Sequence, residues 1–154
     1  MFCKEITVIL IINIIYLYYG CSGSMNMPQF NQPYPLNAQE RTYIGYRLIS
    51  PSDMAKLYKI NVNNNEFEVA LTKESKIRYI QTYSQDFVTD EGVKVGMTLE
   101  DVQNKVNLDV LTLPGWAFVI RFQSGWCAAF IVGDSMTEHF PDKKAEVKFL
   151  FKWK

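Results

Sequence analysis

The sequence predicts an α+β fold: an antiparallel sheet of about five to seven strands with two short helices packed on one face. Three observations carry this expectation. Apolar and polar residues alternate over short runs between Arg41 and Trp153, the period of half-buried strands. Turn-forming clusters separate those runs, at Asn63-Asn64-Asn65, Lys73-Glu74-Ser75 and Gln123-Ser124-Gly125. Two stretches, at Ser50 and at Thr98, begin with the polar cap that opens a helix.

In chain order, Arg41 to Ile49 alternates with Ile44, Tyr46 and Leu48 on one side and reads as a strand. Ser50-Pro51-Ser52-Asp53 reads as a helix start, with Ser50 as cap, Pro51 at the first helical position and Asp53 in the acidic slot of a capping box. Met54, Leu57 and Tyr58 give that short helix its apolar face. Lys59 to Val62 is a short strand, and Phe67, Val69 and Leu71 mark the next, followed by Lys76 to Ser84. Gly92 and Gly96 bracket a tight entry into the second helix, which Thr98 caps with Asp101 three residues on and which buries Leu99, Val102 and Val106. The last third is three strands: Trp116 to Phe122, Trp126 to Val132, and Val147 to Trp153, with a polar loop from Gly133 to Lys144. Its aromatic face needs a cover, and the two helices are assigned to it.

Charge and composition exclude several classes of function. Sixteen Lys+Arg balance sixteen Asp+Glu, and removing Lys4 and Glu5 with a leader leaves fifteen against fifteen. A neutral domain lacks the basic face that nucleic acid requires. Of the three cysteines, Cys3 and Cys21 lie in or beside the leader, so Cys127 has no partner for an intrachain disulfide. Its neighbours Trp126 and Ala128 favour a buried thiol over a reactive one. His139 is the single histidine, and with Cys127 it makes too small a ligand set for a structural metal. No cofactor or catalytic residue is expected.

The first twenty residues read as a secretory leader. Lys4 precedes an apolar run from Ile6 to Tyr19, too short to span a bilayer as a helix, and the chain turns polar after Cys21. Leu17-Tyr18-Tyr19-Gly20-Cys21 resembles the lipobox of bacterial lipoproteins. The resemblance implies cleavage after Gly20 and acylation of Cys21, with residues 1–20 as signal peptide. An ordinary signal peptide with an incidental cysteine, or an uncleaved anchor, fits the same residues. Residues 21–40, rich in Pro, Asn and Gln, read as a lipid-anchored flexible linker onto which Phe30, Tyr34 and Leu36 are able to dock, and residues 41–154 as a single domain.

Gly96, Met97, Thr98 and Val102 resemble the G-M-T-x-x-x-V helix start of small envelope lipoproteins of the SmpA/OmlA type. That resemblance implies a role in assembling outer-membrane proteins; a well-capped helix and nothing more is the alternative. Gly133-Asp134-Ser135-Met136 is similar to the G-D-S-L block of an esterase family, but it sits late, in a loop, with His139 only four residues on. Asp134, Glu138 and Asp142 are more simply solvated charges.

The expected protein is therefore a lipid-anchored, non-enzymatic binding or assembly module of the bacterial cell envelope, its domain facing the periplasm or exterior. Its partners are the membrane, through Cys21, and another envelope protein. The alternative is an inhibitor or immunity lipoprotein that neutralises a secreted enzyme or toxin. Trp116 and Trp126, flanking the predicted hairpin loop, are the candidate partner contacts.

Overall fold

The computed structural model describes residues 27–33, 42–131 and 139–153. The predicted leader with Gly20, the predicted acylation site Cys21 and the Gly133–Met136 block lie outside them. Among the described residues the chain forms one eight-stranded antiparallel sheet with a single short helix. The strands are β1 (Thr42–Ser50), β2 (Asp53–Val62), β3 (Asn65–Leu71), β4 (Ile77–Thr82), β5 (Leu111–Leu113), β6 (Ala117–Arg121), β7 (Cys127–Phe130) and β8 (Val147–Trp153), and the helix is α1 (Leu99–Val106). Their order across the sheet is β1-β2-β3-β4-β8-β7-β6-β5. This corrects the α+β expectation: the fold is mainly β, with more strands and one helix fewer.

The missing helix is β2. Ser50 pairs with Asp53 across a two-residue turn, so Ser50-Pro51-Ser52-Asp53 is a hairpin corner and not a helix cap. Proline suits that corner because its fixed φ matches the first turn position. Asp53 pairs with Arg78 instead of capping. Met54, Leu57 and Tyr58 fit a helical face, but Ala55 and Leu57 inside against Met54, Lys56 and Tyr58 outside fit a strand equally well. Short apolar runs carry both periods. Here β1 and β3 flank the segment and satisfy its backbone on both sides.

The sheet is rolled. In a flat sheet β1 and β6 would stand six spacings of about 4.8 Å apart, roughly 29 Å. Yet the Trp116 indole N–H, at the entry to β6, donates to the Leu48 carbonyl of β1 at 3.1 Å. The enclosed face carries Leu57, Tyr79, Trp116, Phe149 and Phe151, interleaved with small residues at Ala55, Ala70, Ala117, Cys127 and Ala129. Small side chains let a curved sheet close on large ones. Trp116 fills the interior, with ring centroids 5.0 Å from Phe151, 5.7 Å from Trp153 and 6.0 Å from Phe149.

The outer face is covered by α1 and the connection before it. Leu99, Val102, Phe87 and Val93 pack onto Phe67, Ile80, Phe118, Ile120 and Leu150. Contrary to the sequence expectation, the helix does not cover the aromatic side of β8; Phe149 and Phe151 are enclosed by the roll. A bulge between Val147 and Phe149 places these two residues on opposite faces, so one strand serves both cores. The start of α1 agrees with the sequence. Thr98 is the cap, its hydroxyl accepts from the Asp101 N–H at 3.1 Å, and the Asp101 carboxylate returns the bond. Gly92 and Gly96 hold φ of +75° and +88° at its approach.

Residues 27–33, within the predicted linker, belong to the folded body. The Asn31 N–H donates to the Ile77 carbonyl at 3.1 Å, and the Ile77 N–H donates to the Gln32 carbonyl at 3.3 Å. Pro33 forms a bridge with Lys76, and Met27 and Phe30 pack against the outer core.

Candidate binding surface

Among the described residues a cluster of exposed apolar side chains lies on the outside of the β1–β2 hairpin. Tyr43 is 50% exposed, Tyr46 64% and Met54 65%, with Leu48 at 36%. Cross-strand register explains the grouping. Tyr43 stands opposite Tyr58, Tyr46 opposite Lys56, and Leu48 opposite Met54. Tyr43 and Tyr46 are three residues apart and would face opposite ways in a regular strand. A bulge between Tyr43 and Gly45 brings them to the same side, with Gly45 at φ +120°, a conformation that suits glycine. Their rings meet edge-on with centroids 6.2 Å apart. The Lys56 ammonium lies 4.7 Å from the Tyr43 ring centroid and 5.3 Å from that of Tyr58. The Tyr58 hydroxyl beside it, then the neighbouring phenols, hold the Lys56 pKa above its ordinary value. The patch thus combines amphipathic rings, a flexible thioether and a fixed positive charge.

Behind this hairpin, on the enclosed face, sits a chain of polar side chains. The Tyr79 hydroxyl donates to Gln81 Oε1 at 2.6 Å, and the Gln81 amide donates to the buried Glu68 carboxylate. Arg47 reaches the same carboxylate at 3.5 Å and donates to the Tyr83 hydroxyl at 3.4 Å. Burial, followed by the nearby Tyr83 and Glu68, pushes the Tyr79 phenol well above its ordinary value. A phenol so held stays protonated and donates; it does not act as a base. The chain satisfies polar groups and ties β1, β3 and β4 together.

Trp116 and Trp126 are each 5% exposed and do not form one patch. Trp116 belongs to the enclosed core because it lies in the turn before β6, out of phase with Phe118 and Ile120. Trp126 packs on the outer core, 4.8 Å from Phe87, with the Lys152 ammonium 5.0 Å over its ring. Cys127 is buried in the enclosed core, and burial pushes its thiol up to about 12. A thiol with that value is a packing group at neutral pH. His139 is exposed, and among the described residues no three His, Cys, Asp or Glu side chains gather as metal ligands.

A shallow cleft of about 250 Å³ lies between the end of α1 and the β6–β7 loop, lined by Glu91, Lys105, Val106, Leu108 and Gln123. Glu91 is already engaged, accepting from the Ser124 N–H and hydroxyl at 2.9 Å each. No helix among the described residues is long and apolar enough to cross a membrane.

Sequence periodicity places Tyr46 and Leu48 with Ile44 and puts Met54 on a helical apolar face, whereas Tyr46, Leu48 and Met54 are all exposed. The available signal was Gly45 between two tyrosines, since glycine inside a strand pattern marks a bulge. No family model matches the chain, and neither does any curated protein or any solved structure.

Proposed function

We propose that this chain is a lipid-anchored protein of the bacterial cell envelope, cleaved after Gly20 and acylated on Cys21, whose β domain binds and does not catalyse. The exposed face of the β1–β2 hairpin carries the binding half of this reading. Its Tyr43, Tyr46 and Met54 stand open to solvent together on one face of one hairpin, with Leu48 beside them. Exposed aromatic clusters on a rigid support are where binding energy concentrates. The leader supports the anchoring half: an apolar run closes on Gly20-Cys21, and two or more acyl chains hold a protein stably because each buried methylene contributes about 0.8 kcal/mol.

Metabolic labelling with a fatty-acid analogue tests the anchor. The wild-type chain takes up label and the Cys21→Ser variant does not. Equal label in the two proteins rejects the reading. Capture from solubilised membranes then separates an assembly role, which brings down resident envelope proteins, from neutralisation of a secreted toxin or hydrolase.

A further inference from the structure

The tether and the aromatic hairpin face share one end of the molecule. Pro33 bridges to Lys76, and Asn31 and Gln32 bond Ile77, at the start of β4. The start of β4 is tied to the start of β2, because Arg78 grips the Asp53 carboxylate at the hairpin corner. Met27 and Phe30 pack on the outer face of the sheet, the face that also carries Tyr58 and Ile60 of β2. The point at which the chain enters the fold is therefore level with the β1–β2 corner and on the same side as Tyr46, Met54 and Lys56.

Chain length turns this placement into an orientation. Five residues lie between Cys21 and Met27, so the connection reaches at most about 22 Å when fully extended. A compact body of this size is about 34 Å across. A tether shorter than the body it holds cannot let that body turn over, so the side bearing Met27 stays toward the anchor.

The chemistry of that side fits a headgroup layer. Tyrosine rings place an apolar body and a polar tip across such a boundary, and leucine and methionine enter its apolar part. Lys56, Lys73 and Lys76 are exposed at this end, against Glu74, while Asp53 is neutralised by Arg78. Lysines near an anionic surface add attraction that the neutral chain as a whole lacks.

We propose that the outer face of the β1–β2 hairpin, carrying Tyr43, Tyr46, Leu48, Met54 and Lys56, lies against the lipid headgroups of the membrane that holds Cys21. The inference rests on the acylation reading and names the partner of the surface described above. It gives the domain a fixed attitude, with the β2–β3 turn at Asn63-Asn64 and the 142–146 segment directed away from the bilayer.

Site-directed spin labelling of the full acylated protein tests it, in vesicles of phosphatidylethanolamine and phosphatidylglycerol. Met54→Cys and Lys144→Cys are labelled separately; the buried Cys127 thiol stays unreactive. Collision with oxygen, which partitions into lipid, is compared with collision with a water-soluble nickel chelate. The Met54 label favours oxygen and the Lys144 label favours the chelate. If both labels favour the chelate on protein whose acyl mass is confirmed, the orientation fails while the anchor stands. If the protein lacks acyl mass and does not float with vesicles, the anchor and the orientation fail together. If the Met54 label is already shielded from both reagents before vesicles are added, a second copy or another part of the chain covers the patch, and the proposal is overturned.

Discussion

Trp116 is the residue on which closure of the sheet depends. Its indole joins β1 to the entry of β6 through the 3.1 Å bond to the Leu48 carbonyl, and its ring lies against Phe149, Phe151 and Trp153. Trp116→Phe keeps an aromatic ring but removes the donor. The lost hydrogen bond contributes about 0.5–1.5 kcal/mol net. The smaller ring leaves a partial void worth about another 1 kcal/mol. The expected loss is about 2 kcal/mol, and Trp116→Ala should cost about 3–5 kcal/mol. For a domain of this size a loss of about 2 kcal/mol lowers the urea midpoint by about 1 M. Urea titration followed by near-ultraviolet circular dichroism gives that midpoint. Hydrogen exchange adds the positional test: β1 amides exchange faster in Trp116→Phe, while Trp126→Phe, on the outer core, leaves β1 protection close to wild type. If Trp116→Ala costs less than about 1 kcal/mol, or if β1 protection is unchanged, the indole does not hold the two edges together and the rolled architecture is wrong.

Three further outcomes follow from the packing and the charges. Thr98→Ala removes the helix cap and should cost about 1 kcal/mol in chemical denaturation. The Thr98 hydroxyl is also the main reason that the Asp101 pKa lies below its ordinary 3.8. A depressed carboxylate stabilises the fold above its unfolded value and loses that contribution as pH falls through the folded one; the stability loss below about pH 4 should therefore be shallower in Thr98→Ala than in wild type. The Cys127 thiol is raised by burial from 9.0 to about 12. Its protonated form belongs to the folded state, so stability is full below the unfolded value and falls as pH rises from about 9 toward 12; a Cys127→Ala variant should lack that part of the alkaline loss in thermal melts across the range. Glu68→Leu leaves the buried Gln81 amide with only the 3.4 Å bond to the Tyr83 hydroxyl and should cost about 1–3 kcal/mol. Glu68→Gln, which keeps an acceptor, should cost less, and equal melting temperatures for the two would show that the polar chain contributes nothing.

Local chemistry in the sequence announced α1, the asparagine turn and the β6–β7 hairpin correctly, because each is decided within a few residues. Thr98 and Asp101 bond each other, and Asn63 and Asn64 adopt φ of 50° and 63° on their own account. The first helix failed because Ser50-Pro51-Ser52-Asp53 serves equally as a cap or a hairpin corner, and the choice is made by β3 and Arg78, distant in sequence. β5 was missed because three residues carry no period. The bulges at Gly45 and Lys148 hid which side each aromatic residue faces. Alternation places Tyr46 inside with Ile44 and puts Val147 with Phe149, and in both strands one extra residue reverses the phase. The bulge at Gly45 hides Tyr46 and Leu48 as surface, and the helical period of residues 50–58 hides Met54 by placing it on an apolar face. The leader resemblance stands apart, since Gly20 and Cys21 depend on short-range pattern alone.

The position of β8 governs when this protein is able to fold. Among the described residues it is the last strand in chain order, yet it lies in the middle of the sheet, bonded to β4 on one side and β7 on the other. Until Trp153 has been synthesised, the two halves of the sheet have unpaired inner edges and neither core has its floor. Strands β1 to β7 consequently keep an open edge on either side of the gap until β8 fills it. A domain with its central strand near its start would have no such delay.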